Sequence, residues 1–126
     1  MESIVIKQGE INKENDFNMS PSFHIEKRKK EIKEILENLP RCENMQGSSG
    51  NDVPNQFIIK GRDWTLFQSY SSPIALKKDG KVYIFSDWDY SVTTGKYRNQ
   101  FLNETKKGTL AKLKSGEYIA VDFEVN

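Results

Sequence analysis

Between residues 22 and 39 apolar side chains recur at helical period. Ile25, Ile32, Ile35, Leu36 and Leu39 are separated by seven, three, one and three positions, with charged residues between them. That spacing draws one apolar stripe down the side of an α-helix. The hydroxyl of Ser20 or Ser22 and the proline at 21 suit a first turn. Pro40 ends the pattern, because the residue before a proline is pushed out of the α region. The prediction is one long amphipathic helix over about 22–39. Ahead of it, residues 1–20 are mostly polar, with Ile4, Val5, Ile6 and Ile11 among the few apolar positions, which predicts a short strand near 3–7 and a loose connection. Behind it, residues 42–55 (CENMQGSSGNDVPN) are rich in Gly, Ser and Asn and read as an exposed, flexible linker.

After Pro54 the period changes to two. Residues 56–60 (QFIIK) and 64–70 (WTLFQSY) are strand candidates, with Gly61-Arg62-Asp63 as turn material. Asp79-Gly80 between the runs 74–78 and 81–85 signals a type I′ hairpin, since both central residues need positive φ. A two-residue loop sets the register: Lys77 opposite Val82, Leu76 opposite Tyr83, Ala75 opposite Ile84, Ile74 opposite Phe85. A second helix is expected from about Val92 to Asn103, with Ser91, Thr93 and Thr94 as caps and Tyr97, Phe101 and Leu102 as its apolar side. Thr109 to Lys114 predicts a further turn or two, stopped at Ser115-Gly116. Residues 117–125 (EYIAVDFEV) close the chain as a strand. The elements predict an α+β fold with a mainly antiparallel sheet of about four to six strands and one or two shorter C-terminal helices. Two regions are expected, 1–55 and a compact β-rich 56–126. They are read as one structural domain, because a lone helix needs something to cover its stripe.

Composition narrows the function classes. The 126 residues suit one domain. Nineteen Lys and Arg against eighteen Asp and Glu leave a net charge of +1, which argues against an acidic nucleic-acid mimic and against a strongly basic coat protein. The balance is uneven along the chain: within 91–114, six cations face only Glu104. There is no apolar run long enough to cross a membrane, and MESIVIKQGE does not resemble a secretory leader. One cysteine and one histidine, Cys42 and His24, leave no internal disulfide and no Cys/His metal cluster, and nothing places the two in a catalytic pair.

Two further groups are candidates. Asp87 and Asp89 flank Trp88 and offer an acidic patch able to hold a hard cation. The ordinary alternative is a strand-to-helix turn, in which Asp side chains accept backbone N–H bonds. Residues 88–101 hold four aromatic rings, two cations, two side-chain amides and several hydroxyls. Thr93, Thr94, Lys96, Arg98, Asn99, Asn103, Lys106 and Lys107 form the candidate binding face, for a protein partner or for nucleic-acid backbone. The alternative reading makes the rings core and the hydroxyls caps.

These residues carry a resemblance. Ser69-Tyr70 with Ile74-Ala75, the hairpin after them, and Tyr90-Ser91 through Thr93-Thr94, Lys96 and Phe101 follow the order S-Y-x-x-x-I-A, hairpin, Y-S-x-T-T-x-K-x-x-x-x-F. The pattern resembles a family of small bacteriophage-encoded proteins of uncharacterised function, over about residues 64–123. It implies a phage accessory protein acting in the cytoplasm of a bacterial host, and brings no catalytic residues. The expected function is therefore non-enzymatic: inhibition of a host defence system, most concretely an anti-CRISPR that binds a nuclease effector and blocks nucleic-acid loading or cleavage. The alternatives are a nucleic-acid-binding module using the basic 91–114 region, and capture of a nucleotide signal near Thr93, Thr94 and Lys96. No cofactor, metal or membrane partner is expected. A host protein complex is the expected partner, and an exposed amphipathic helix is compatible with a homodimer.

Overall fold

The computed structural model describes residues 21–126; the strand expected near 3–7 lies outside them. The chain divides into two compact units at Leu39/Pro40.

In the first unit, helix α1 spans Pro21–Glu37. Its 17 residues make fewer than five turns, so it is a helix of ordinary length and not the long element expected. It stops short of Pro40 because Asn38 closes the last turn: its amide donates to the Glu34 carbonyl at 2.8 Å. The apolar stripe is real and stays exposed, with Ile25, Ile32, Ile35 and Leu36 at 47–60%.

The second unit is a six-stranded sheet in sequential order: β1 (Arg41–Gln46), β2 (Asp52–Lys60), β3 (Trp64–Ser69), β4 (Ser72–Lys78), β5 (Lys81–Ile84) and β6 (Tyr118–Ala120). All neighbours pair antiparallel except β5 and β6, which are parallel. Two helices, α2 (Val92–Leu102) and α3 (Lys106–Ser115), make the crossover that a parallel pair requires. The class is α+β with a mainly antiparallel sheet, as expected.

Residues 42–55 are not a flexible linker. They form β1, a tight turn and the start of β2. Gly47 N–H donates to Asn51 O at 2.9 Å, and Gly50 closes the turn at φ 84°. Strand β1 escapes a period-two reading because it is an edge strand, with Arg41 and Glu43 facing water and only Met45 buried. Pro54 is tolerated in β2 at the register shift between Asn44 and Gln46, beside Asn55 at φ 66°.

The 74–85 hairpin has the expected register, from Ala75↔Ile84 to Lys78↔Lys81, with Asp79 at φ 55° and Gly80 at φ 75°. Phe85 N–H donates to the Ile74 carbonyl at 3.1 Å, which completes the fourth pair. The closing strand is shorter than 117–125. It ends at Ala120 because β5 ends opposite it, and Asp122 turns back to accept the Ser86 N–H at 2.7 Å.

Alternation sorts the sheet into two faces. One carries Phe67, Ala75, Ile84 and Tyr118, packed with Tyr97 and Leu102 of α2 and Leu113 of α3 as the core. Both helices lie on this face: Thr94 meets Ser69, Phe101 meets Phe67, and Glu104 meets Tyr118. Gln56 is also on it, fully buried opposite Ser69, and neither its amide nitrogen nor its oxygen has a hydrogen-bond partner. The Ser69 hydroxyl is engaged with Thr94 at 2.9 Å. A buried amide left unpaired costs about 1–3 kcal/mol. Gln56→Met, which keeps the volume and removes the polar atoms, is therefore expected to raise the urea midpoint at unchanged m-value. A lower midpoint would mean that the amide has a partner such as a buried water.

Candidate functional site

Ser91 is the N-cap of α2: its hydroxyl accepts the Thr94 N–H at 3.0 Å. A helix that begins there turns Thr94, Tyr97 and Arg98 inward and leaves Thr93 and Lys96 outside. Thr94 is fully buried, its hydroxyl bonded to those of Ser69 and Ser91. Arg98 is 1% exposed. Its guanidinium donates to the Trp88 carbonyl at 2.7 Å, to Asp89 Oδ1 at 3.1 Å and to Asn99 Oδ1 at 2.8 Å, and lies 5.0 Å from the Trp88 ring centre.

These contacts correct the predicted binding face. Thr94 and Arg98 are interior, and the Asn99 carbonyl oxygen is engaged by Arg98. Lys106 is exposed but pairs with Asp89 at 2.5 Å. Thr93, Lys96, Asn103 and Lys107 stay at the surface. Asn103 is there as the C-cap of α2 at φ 57°, and Lys96 lies 5.3 Å from the Tyr97 ring centre. Eight candidates reduce to four.

The acidic patch is also divided. Asp87 accepts the Ser72 hydroxyl at 2.9 Å, while Asp89 joins Arg98 to Lys106. Burial pushes the Asp89 carboxyl up, but hydrogen bonds from Lys106 and Arg98 outweigh it and hold the group below its ordinary 3.8. Among the described residues, no three His, Cys, Asp or Glu side chains are placed to hold a metal ion. Of the four rings in 88–101, Tyr97 is buried, Trp88 and Phe101 pack on the core, and Tyr90 is 56% exposed.

Glu104 is a second hub that motif reading passed over. Its carboxylate accepts from Thr109 Oγ1 at 2.5 Å, Lys112 Nζ at 2.8 Å and Tyr118 Oη at 3.0 Å, tying α3 and β6 to the end of α2. Burial raises its pKa, yet the three donors win and hold it below 4.5. The one trace of it in the sequence is that Glu104 is the single acid of the basic 91–114 run.

Of the sheet's second face, only the Leu76–Tyr83 pair was legible in the sequence. Pairing by pairing, Cys42↔Ile59, Ile59↔Leu66, Leu66↔Leu76, Leu76↔Tyr83 and Tyr83↔Ile119 form one continuous row with a residue from every strand. Every member is half-buried or exposed, and none belongs to the core. At the turn end of the sheet, the β2–β3 turn and the β4–β5 hairpin border an open cavity of about 440 Å³ beside Trp64.

Fold and site together define a small α+β unit whose helices cover one face of the sheet and whose charged groups are mostly turned to holding the fold. The chain belongs to the Family of unknown function (DUF8033), whose model matches residues 40–117, more than half of the chain and the second unit from its first residue. The resemblance read from residues 64–123 therefore falls largely within a family domain that begins earlier, at Pro40. No curated protein and no solved structure matches the chain. Among the described residues, no helix is long and apolar enough to cross a membrane.

Proposed function

We propose that this protein works by binding rather than by catalysis, as an inhibitor that occupies a surface of a host macromolecule. Its concrete form is a phage-borne anti-defence protein, an anti-CRISPR that covers a nuclease effector. The observation that supports a binding role is the six-residue row Cys42–Ile59–Leu66–Leu76–Tyr83–Ile119 on the sheet face away from α2 and α3. Six strands spaced about 4.8 Å apart hold such a row over roughly 24 Å on a rigid frame. Aliphatic and tyrosine side chains at the centre, with polar neighbours around them, are the make-up of an interface core.

The test replaces Leu66 and Tyr83 by threonine, a good strand former, and measures inhibition of a panel of purified defence nucleases. Each variant is expected to weaken inhibition at least tenfold with an unchanged circular dichroism spectrum. Lys96→Ala combined with Lys107→Ala is expected to stay within twofold of the parent. Loss of inhibition with the lysine pair alone would move the contact to the helices and overturn the reading.

A further inference from the structure

The cavity at the turn end of the sheet has the parts of an anion site, and it is separate from the apolar row. Its volume of about 440 Å³ is in the range of small-molecule sites. Six charged side chains line it, Arg62, Asp63, Lys77, Lys78, Asp79 and Lys81, and their pairing is lopsided. Lys78 lies opposite Lys81 in the hairpin. Both nearby carboxylates go to Lys78, Asp63 at 2.9 Å and Asp79 at 3.7 Å. That ion pair holds the Asp63 carboxyl below its ordinary 3.8, through the hydrogen bond from Lys78 first. Arg62 and Lys81 line the same cavity and have no carboxylate within ion-pair distance among the described residues. Arg62 and Lys81 thus make no close ion pair among the described residues, although the charge of Arg62 still helps to lower the neighbouring Asp63 carboxyl.

The third part is an aromatic wall. Trp64 packs against Gly61, where a Cβ would fall 2.0–2.4 Å from three indole atoms. Only glycine lets the ring lie against the turn, and the indole lines the same cavity as the two cations. Gly80, the other glycine of the rim, has open space above its Cα, so backbone can be approached there. A guanidinium and an ammonium suit phosphate oxygens, and a fixed indole suits the face of a planar base.

We propose that this cavity binds a nucleoside phosphate, with Arg62 and Lys81 on the phosphate and Trp64 against the base. The ligand is either a free mononucleotide or one unit of a single strand, which share this chemistry. This goes beyond the inhibitor reading and stands or falls independently of it.

Isothermal titration of the full chain with AMP, UMP, adenosine, inorganic phosphate and an oligo(dT) octamer tests the assignment. A mononucleotide or the octamer is expected to bind, and binding is expected to weaken as salt rises. Arg62→Ala and Lys81→Ala, both at exposed positions, are each expected to weaken it about tenfold, and Trp64→Leu to do the same. Gly61→Ala, which displaces the indole while keeping it, should reproduce the Trp64 effect in a chain that melts normally. Octamer binding without mononucleotide binding would support the single strand as the source, and the reverse would support a free nucleotide. No heat with any phosphate-bearing probe at millimolar concentration would overturn the proposal. So would affinity unchanged by the Arg62 and Lys81 variants, or inorganic phosphate binding as tightly as AMP.

Discussion

Asp89→Ala is expected to cost about 3–5 kcal/mol, because it leaves the Arg98 guanidinium buried without its counter-charge. Arg98 is 1% exposed and keeps only the Trp88 carbonyl and the Asn99 oxygen as acceptors in that variant. Lys106 also loses its partner, but it is solvated and that loss is small. Arg98→Met removes the charge itself while filling most of the space, and leaves Asp89 paired to Lys106 at a position 31% exposed. The double variant should therefore be more stable than the two single losses imply, by a coupling of about 1–3 kcal/mol. Urea denaturation followed by circular dichroism measures all four corners of the cycle. Additive losses would mean that the two side chains stabilise the fold separately.

Glu104→Gln is expected to be the second largest loss, about 2 kcal/mol at neutral pH, since three donors converge on one carboxylate that is 12% exposed. It should also change the shape of the pH dependence. The folded-state pKa of Glu104 is held below 4.5, and that of Asp89 below 3.8. A carboxyl with a lowered folded pKa contributes stability that is fully present above its unfolded value and is lost as pH falls through the folded one. The parent should therefore begin to lose stability near pH 4.5 and continue below 3.8, while the Gln variant keeps only the Asp89 share of that slope. On the alkaline side the same hub acts in the opposite sense. The Lys112 pKa is raised, by its hydrogen bond to Glu104 first, and that of Tyr118 is raised, by burial first. Their contribution is present below pH 10 and fades above it. An acid limb of equal steepness in parent and variant would remove Glu104 from this role.

How much of this was legible in the residues depended on how local each signal was. The Asp79-Gly80 hairpin was readable to the residue pair because a two-residue loop needing positive φ fixes both geometry and register. Helix α2 was readable because Ser91 caps it and Asn103 ends it within one turn of the apolar residues Phe101 and Leu102. Helix α3 was underestimated: it starts at Lys106 on the Thr105 cap, ahead of the expected Thr109. Two lysines and a glycine in its first turn hide an amphipathic start. Strand β1 was missed for a similar reason. A polar edge strand carries no alternation, and its conformation comes from pairing with β2.

The candidate site shows the same divide in sharper form. Arginine and threonine in a polar run read as surface groups, since charged side chains are rarely fully buried unless paired. Arg98 is the paired exception, and its partner Asp89 stands nine residues away, in the acidic pair around Trp88. The apolar row is invisible in any single strand because it takes one residue from each of six.

By itself the sequence determined most of the local conformations: where α1 and α2 run, how the hairpin is registered, and that the unit is α+β with a mostly antiparallel sheet. Period, caps and turn residues act over a few positions, so they survive without a fold. Only the tertiary structure decided which charges are interior, which sheet face carries the helices, and which cations line the cavity at the turn end of the sheet. Those outcomes depend on desolvation and pairing between residues far apart in the chain, and no spacing rule contains them.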